Sequence, residues 1–454
     1  MRYSMAKQVN NSHHTLNRLF SLYERQEFSD IQLKVGNTRY ATHRMVLCMS
    51  SDVFKTMLSS DTWPEGRSNL IVLQEDVECA AVFQLFLKYL YKGQVDLDKN
   101  NILPLLTLAD KYDVSDLSKS CLDYIRENCT PQSKHVVISW LQYALMCGYK
   151  NVEEVCLQFL LCNFELVMNT AEFINTSKDV LLTFLQSSDL VINGEYSLYV
   201  AVKRWLTENE CEHIEDTKIL FQSLMEKIRF PMMHLSELAT LENDQFVNDH
   251  KEFYLRNIFS AMKYHTLNLD IVGMTPKDIN RWGAKSVPRV YDTESWSTSI
   301  TVDNLSAVKQ GEVRGAFFTT PSSCSDADQH SHLDWHVMFY PKGVVYDPCV
   351  VIRVPTNLMN PGAVCKTVRL ALSTQCERKR RFKITVLVMA TEGVQEEFVC
   401  YANTKDAIFD KTHTLFNFDH VIPFEDLFKS NSAYKPDIDT LKIKIVIRPM
   451  SAVG

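Results

Sequence analysis

The stretch Ile31–Leu58, IQLKVGNTRYATHRMVLCMSSDVFKTML, changes its hydrophobic period halfway along, and that change decides how the amino-terminal part of the chain folds. Ile31, Leu33 and Val35 alternate with polar residues. Gly36 and Asn37 follow, and TRYAT resumes an extended pattern, which together spell a two-residue β-hairpin. From His43 to Leu58 the spacing becomes helical. Val46, Leu47, Val53, Phe54, Met57 and Leu58 fall on one stripe, predicting a helix with a core-facing side. Outward from there, NLIVL (69–73) is a short strand and AAVFQLFLKYLYKG (80–93) a helix with Val82, Phe83, Phe86, Leu87 and Leu90 inward. Lys88 and Lys92 in its last turn, then Gly93, suit the helix dipole and a left-handed cap.

Two further textures follow. Residues 131–280 are almost wholly helical in pattern. In NVEEVCLQFLLCNFELV (151–167), Asn151 can cap a helix while Glu154 reaches back to it, and apolar residues recur at three- and four-residue steps. EYSLYVAVKRWL, TKILFQSLMEKI and DQFVNDHKEFYLRNIFSAM repeat that texture, as a stack of helical hairpins does. From residue 286 onward the runs become short, β-branched and broken by Gly, Pro and Asp: SWSTSITV, EVRGAFFTT, DWHVMFY, CVVIRV, TVRLALS, RFKITVLVMA, EEFVCYA and TLKIKIVIR. Eight strands with no helix between them predict an antiparallel sandwich. The expected fold class is therefore multidomain α+β, in three modules at 20–130, 131–280 and 286–454.

Composition narrows the function. The 454 residues are 46 % apolar and 23 % charged, with a net charge of −7, which offers no general attraction to nucleic acid or acidic membranes. No window has the apolar length of a membrane span, and MRYSMAKQVNNSHHTLNRLF lacks the apolar core of a secretory leader, so a cytoplasmic location is expected. The thirteen cysteines include no C-x-x-C pair, as expected of buried thiols in a reducing compartment. Phosphate-loop, nucleophile-elbow and zinc-helix motifs are absent, and neither an enzyme nor a cofactor is expected. Asp326, Asp328, His330, His332, Asp334 and His336 stand at alternate positions and could in principle hold zinc on one face of a strand. The preferred reading is a solvated loop running into a strand whose buried parity begins at Trp335 and Val337, so no metal is expected. The basic run Arg378–Arg381 is taken as a charged turn between two strands rather than a nucleic-acid contact.

FSDIQLKVG, YATHRMVLCMSSDVFKTML and LTLADKYDV, in that order and spacing, resemble a BTB/POZ domain. VEEVCLQFLLCNFELV and LTFLQSSDLVINGEYSLYVAVKRWL resemble the all-helical BACK domain, and WHVMFYPKG with DIDTLKIKIVI is similar to a TRAF/MATH β-sandwich. Adaptors of the MATH–BTB kind place the sandwich first, whereas here it comes last. The resemblance implies a substrate adaptor of a cullin-3 RING ubiquitin ligase, dimeric through BTB and capturing a protein client through the sandwich. The alternative it leaves open is a self-associating scaffold or adhesion-type protein without cullin binding.

It also implies site residues. Trp63-Pro64-Glu65 fits the hydrophobic-x-Glu loop of cullin-binding BTB domains, so Trp63 and Glu65 would meet cullin-3, with Phe54, Met57, Leu58 and Tyr112 lining the neighbouring surface. An indole buried at a contact is a typical hot spot; the alternative is a lid folded over its own helix. Asp30, with Arg44 and His43 beside it, matches charged positions near the two-fold axis of BTB dimers, the alternative being a cap or turn role for Asp30 within one chain.

Overall fold

The computed structural model describes residues 12–59, 68–210, 214–242, 244–266, 283–325, 331–345, 364–392, 396–429, 432, 434 and 439–450. The chain divides into two compact units. One holds Met1–Cys129 with Tyr143–Cys156, the other Thr130–Gln142 with Leu157–Gly454.

In the first unit α1 (Ser12–Arg25) precedes the hairpin of β1 (Ile31–Val35) and β2 (Thr38–Thr42), whose turn has Gly36 at φ 55°. A first central residue with positive φ matches the twist of the two strands, and glycine takes it without strain. The expected single helix is two helices, α2 (Arg44–Ser50) and α3 (Asp52–Ser59). Ser51 between them is extended (φ −151°, ψ 124°), and its Oγ accepts Phe54 N–H at 3.0 Å, capping α3. Serine competes with the backbone in this way, so the apolar stripe runs across a helix break. Next, β3 (Leu70–Leu73) joins β1 in parallel, giving the sheet order β2-β1-β3 with Ile31, Leu33, Val35, Ile71 and Leu73 buried. Three helices complete this part: α4 (Val77–Lys92), α5 (Ile102–Lys111) and α6 (Ser115–Glu127). In α4, Phe83, Phe86, Leu87 and Leu90 point inward as expected, Val82 is half-buried, and Gly93 (φ 66°) caps the end with its N–H on Tyr89 O at 2.7 Å.

The chain passes from one unit to the other along α7 (Val137–Cys147) and α8 (Lys150–Cys162). Asn151 lies in the first turn of α8, one residue inside the start, rather than capping it. The second unit continues with α9 (Phe164–Val167), α10 (Lys178–Gln186), the short strand β4 (Val191–Ile192), α11 (Glu195–Glu208), α12 (Ile214–Met225), α13 (Leu235–Leu241), α14 (Gln245–Asp249) and α15 (Lys251–Thr266). Strands follow: β5 (Val290–Tyr291), β6 (Ser297–Val302), β7 (Arg314–Pro321), β8 (His332–Tyr340), β9 (Val344–Val345), β10 (Val364–Cys365), β11 (Arg369–Ser373), β12 (Arg380–Glu392), β13 (Glu396–Phe409) and β14 (Leu415–Phe418). A short helix α16 (Phe424–Leu427) and β15 (Leu441–Met450) end the described chain.

Two four-stranded antiparallel sheets, β14-β11-β8-β7 and β13-β12-β15-β6, enclose a core of Trp335, Phe339, Phe382, Phe409, Ile443 and Ile447 among others. Trp335 meets Phe382 and Phe409 edge to face, both at 5.2 Å, and its Nε1 donates to Thr320 Oγ1 at 2.9 Å, so the indole is anchored at both its apolar and polar parts. The molecule is multidomain α+β, as expected. CVVIRV (349–354) lies outside the described residues, and β14, only four residues long with Asn417 inside it, gave no alternating signal.

Candidate interaction surfaces

Phe54, Leu58 and Tyr112 are core residues. The Phe54 and Tyr112 rings stack at 4.5 Å and 10°, with Phe86 5.5 Å from Tyr112. Ser51 Oγ donates to Tyr112 O at 2.5 Å, and the Tyr112 hydroxyl donates to Glu75 Oε1 at 2.5 Å. Burial first, and then the Glu75 carboxylate, push that hydroxyl far above the ordinary phenol range. These three side chains therefore position α3 instead of lining a surface, which corrects the expected contact set. The reason is parity: the stripe that marks a helix's core face cannot also be its exposed face. Met57 is half-buried and stays available, while Trp63 and Glu65 lie outside the described residues.

The second set is tied together within one chain. Asp30 is exposed, and its Oδ1 accepts Arg44 N–H at 2.9 Å, so it caps α2. His43 N–H donates to Tyr91 Oη at 2.8 Å, His43 Nδ1 lies 2.8 Å from the same oxygen, and Nε2 is 2.8 Å from Glu27 O. A carbonyl can only accept, which puts a proton on Nε2. The Arg44 guanidinium donates to Ser68 O. Beside this cluster stand side chains the sequence reading passed over: Met45 and Met49, one turn apart on the outer side of α2, and Phe28, which is 85 % exposed at φ 58°. Their signal was the complement of the buried pair Val46 and Leu47.

In the second unit β8 alternates as its sequence requires. Leu333, Trp335, Val337 and Phe339 are buried, whereas His332, Asp334, His336 and Met338 face the other way. His332, Asp334 and His336 do share a face, but Asp326, Asp328 and His330 lie outside the described residues, and no group of three possible metal ligands occurs among the described ones. His336 instead stacks on Phe317 of β7 at 4.3 Å and 2°, and Phe317 is 80 % exposed. On the same face Arg369 of β11 is fully buried with Nε on Asp419 Oδ1 at 2.5 Å, but its Nη1 and Nη2 have no hydrogen-bond partner, nor has Oδ1 of Asn417 on the adjoining β14. Buried donors and acceptors left open in this way favour a polar ligand group or ordered water. The basic run only half fits the expected turn: Arg378 and Lys379 lie between β11 and β12, whereas Arg380 and Arg381 open β12, where Arg380 donates to Ser322 O at 2.7 Å and Arg381 pairs with Asp406 at 3.3 Å.

Comparison with known proteins accounts for these three parts. Residues 19–129 match the BTB/POZ domain, 137–243 match BACK (BTB And C-terminal Kelch), and 286–451 match the BTBD17 TRAF domain. The chain is thus a BTB/POZ–BACK protein with a C-terminal TRAF-like domain, built of three interaction modules. It resembles BTB/POZ domain-containing protein 17: that of Xenopus tropicalis is 26 % identical across 97 % of this chain and 92 % of the relative, and that of Mus musculus 27 % identical across 97 % and 89 %. Galectin-3-binding protein of Mus musculus is 26 % identical over 62 % of this chain and 48 % of the relative.

Proposed function

We propose that the protein is a non-catalytic substrate adaptor of a cullin-3 RING ubiquitin ligase, with its BTB module (20–130) self-associating, its BACK helices (131–280) as the connection, and its sandwich (286–454) holding a protein client. The observation that carries this reading is the pairing of two unlike surfaces on one chain. The N-terminal unit exposes Phe28, Met45 and Met49, and the sandwich sheet exposes Phe317, stacked on His336. Exposed large apolar side chains of this kind mark protein contacts. Met57, Trp63 and Glu65 would meet cullin-3, and Asp30, His43 and Arg44 would shape the dimer face by holding the start of α2. Such an adaptor forms no bonds. It acts by raising the concentration of client lysines near the recruited ligase. The expected location is cytoplasmic, without nucleic-acid or membrane partners; no helix among the described residues is long and apolar enough to cross a membrane.

The test is recovery of cullin-3 by wild type and by the double variant Trp63→Ala, Glu65→Ala. The variant is expected to lose most of the recovery, and equal recovery by both proteins would overturn the mechanism. The similarity to galectin-3-binding protein favours a second reading, a self-associating scaffold without cullin. Absence of cullin-3 from both pulldowns, with self-association intact, would select it.

A further inference from the structure

Three arginines from distant parts of the chain converge on the segment between α10 and α11. Arg289, fully buried, directs Nε to Glu195 Oε1 at 2.8 Å, Nη2 to Leu185 O at 2.7 Å and Lys227 O at 3.1 Å, and Nη1 to Ser187 O. Arg229 donates its backbone N–H to Glu195 Oε2 at 3.0 Å, Nη1 to Val287 O at 2.6 Å and Nη2 to Ser188 Oγ at 2.9 Å. Arg448, from the last strand of the sandwich, donates Nη1 to Ser188 O at 2.7 Å and Nη2 to Thr385 Oγ1 at 3.0 Å and Asp189 Oδ1 at 3.3 Å. Burial first, and Arg289 second, pull the Arg229 guanidinium down to about 10, a measure of how closely the cations are packed. Beside them β4 of the helical part pairs in parallel with β5, and the Tyr291 hydroxyl donates to Glu195 Oε1 at 3.0 Å.

A second joint lies elsewhere. Asn163, at the end of α8, accepts Val399 N–H at 2.8 Å and donates to Val399 O at 2.9 Å. Its side-chain amide thereby stands in for a neighbouring strand at the free edge of β13, the outermost strand of its sheet. Separating the helices from the sandwich would take Arg289 and Tyr291 from Glu195, the Ser188 and Asp189 acceptors from Arg448, and Asn163 from the Val399 backbone. That would leave Glu195 only the Arg229 N–H and Arg448 only Thr385 Oγ1, and the loss of so many charge-assisted bonds at once is disfavoured.

We infer that the BACK helices and the sandwich of residues 157–450 form one cooperative folding unit, locked by Arg289, Arg448 and Asn163, so that the sandwich is not a separable domain. The inference stands whether or not the sandwich captures a client.

Native-state hydrogen exchange on the full chain tests it. The slowest amides of α11 and those of β12 and β15 are expected to open together with the same denaturant dependence, and Arg448→Met to lower protection in both sets by the same factor, at least about tenfold. Asn163→Ala, at the other joint, is expected to lower both sets equally. Loss of protection confined to the helices or to the sandwich in either variant, or different denaturant dependences in wild type, would overturn the inference. Should Arg448→Met not fold, Asn163→Ala and the wild-type comparison decide it.

Discussion

At the scale of single residues, burial separates side chains that build a surface from those that form it. Phe54 is fully buried against Tyr112, so Phe54→Ala is expected to cost about 3–5 kcal/mol of stability, read from the urea midpoint, whereas Met57→Ala should cost less than about 1 kcal/mol. A cullin-binding defect in the first variant would then report unfolding, and one in the second a lost contact. Glu172 is a second case. Its Oε1 accepts Ser139 N–H at 2.8 Å, but its buried Oε2 has no partner, and burial raises its pKa against the opposing effect of that hydrogen bond. The folded state then binds this proton more tightly than the unfolded one, so the group's contribution falls as pH rises from the ordinary carboxylate range through the raised value. Glu172→Gln is accordingly expected to be more stable than wild type at pH 7, with the gap closing on acidification. A gap that widens as pH falls would contradict the assigned sign.

Elements show where periodicity informs and where it misleads. The hairpin of β1 and β2, the core face of α4 and the alternation of β8 all follow from spacing, because one buried face per element imposes its own period. The helix over 43–58 does not, because a hydrophobic stripe continues across a break if the second helix resumes near the same side. Ser51 makes the break by turning its hydroxyl to Phe54 N–H and Tyr112 O. Ser51→Ala is expected to destabilise the first unit by about 1–2 kcal/mol, measured by chemical unfolding. A variant as stable as wild type would mean that α2 and α3 are held apart by packing alone. Edge strands are equally hard to read: β14 has too few residues to alternate, and β13 continues to Phe409, well past its obvious apolar run.

For the whole molecule, the exposed methionines of α2 bear on assembly. Paired charges there would repel across an isologous contact, so, on the self-association proposed above, Met45→Glu with Met49→Glu is expected to sediment as a smaller species than wild type. Unchanged association of that variant would move the contact away from α2. By itself the sequence determined the three textures, their order, most strands of the sandwich and the resemblance to BTB, BACK and TRAF modules, because each depends on local period and composition. Only the tertiary structure decided which apolar residues are covered, which intrachain hydrogen bonds Asp30 and His43 make, and that Asn163, Glu195, Arg289 and Arg448 join helices to sandwich. Those contacts link residues far apart in sequence, up to 260 positions for Arg448 and Ser188. No local pattern specifies a polar partner at such a distance, since its value arises from the water that folding removes around it.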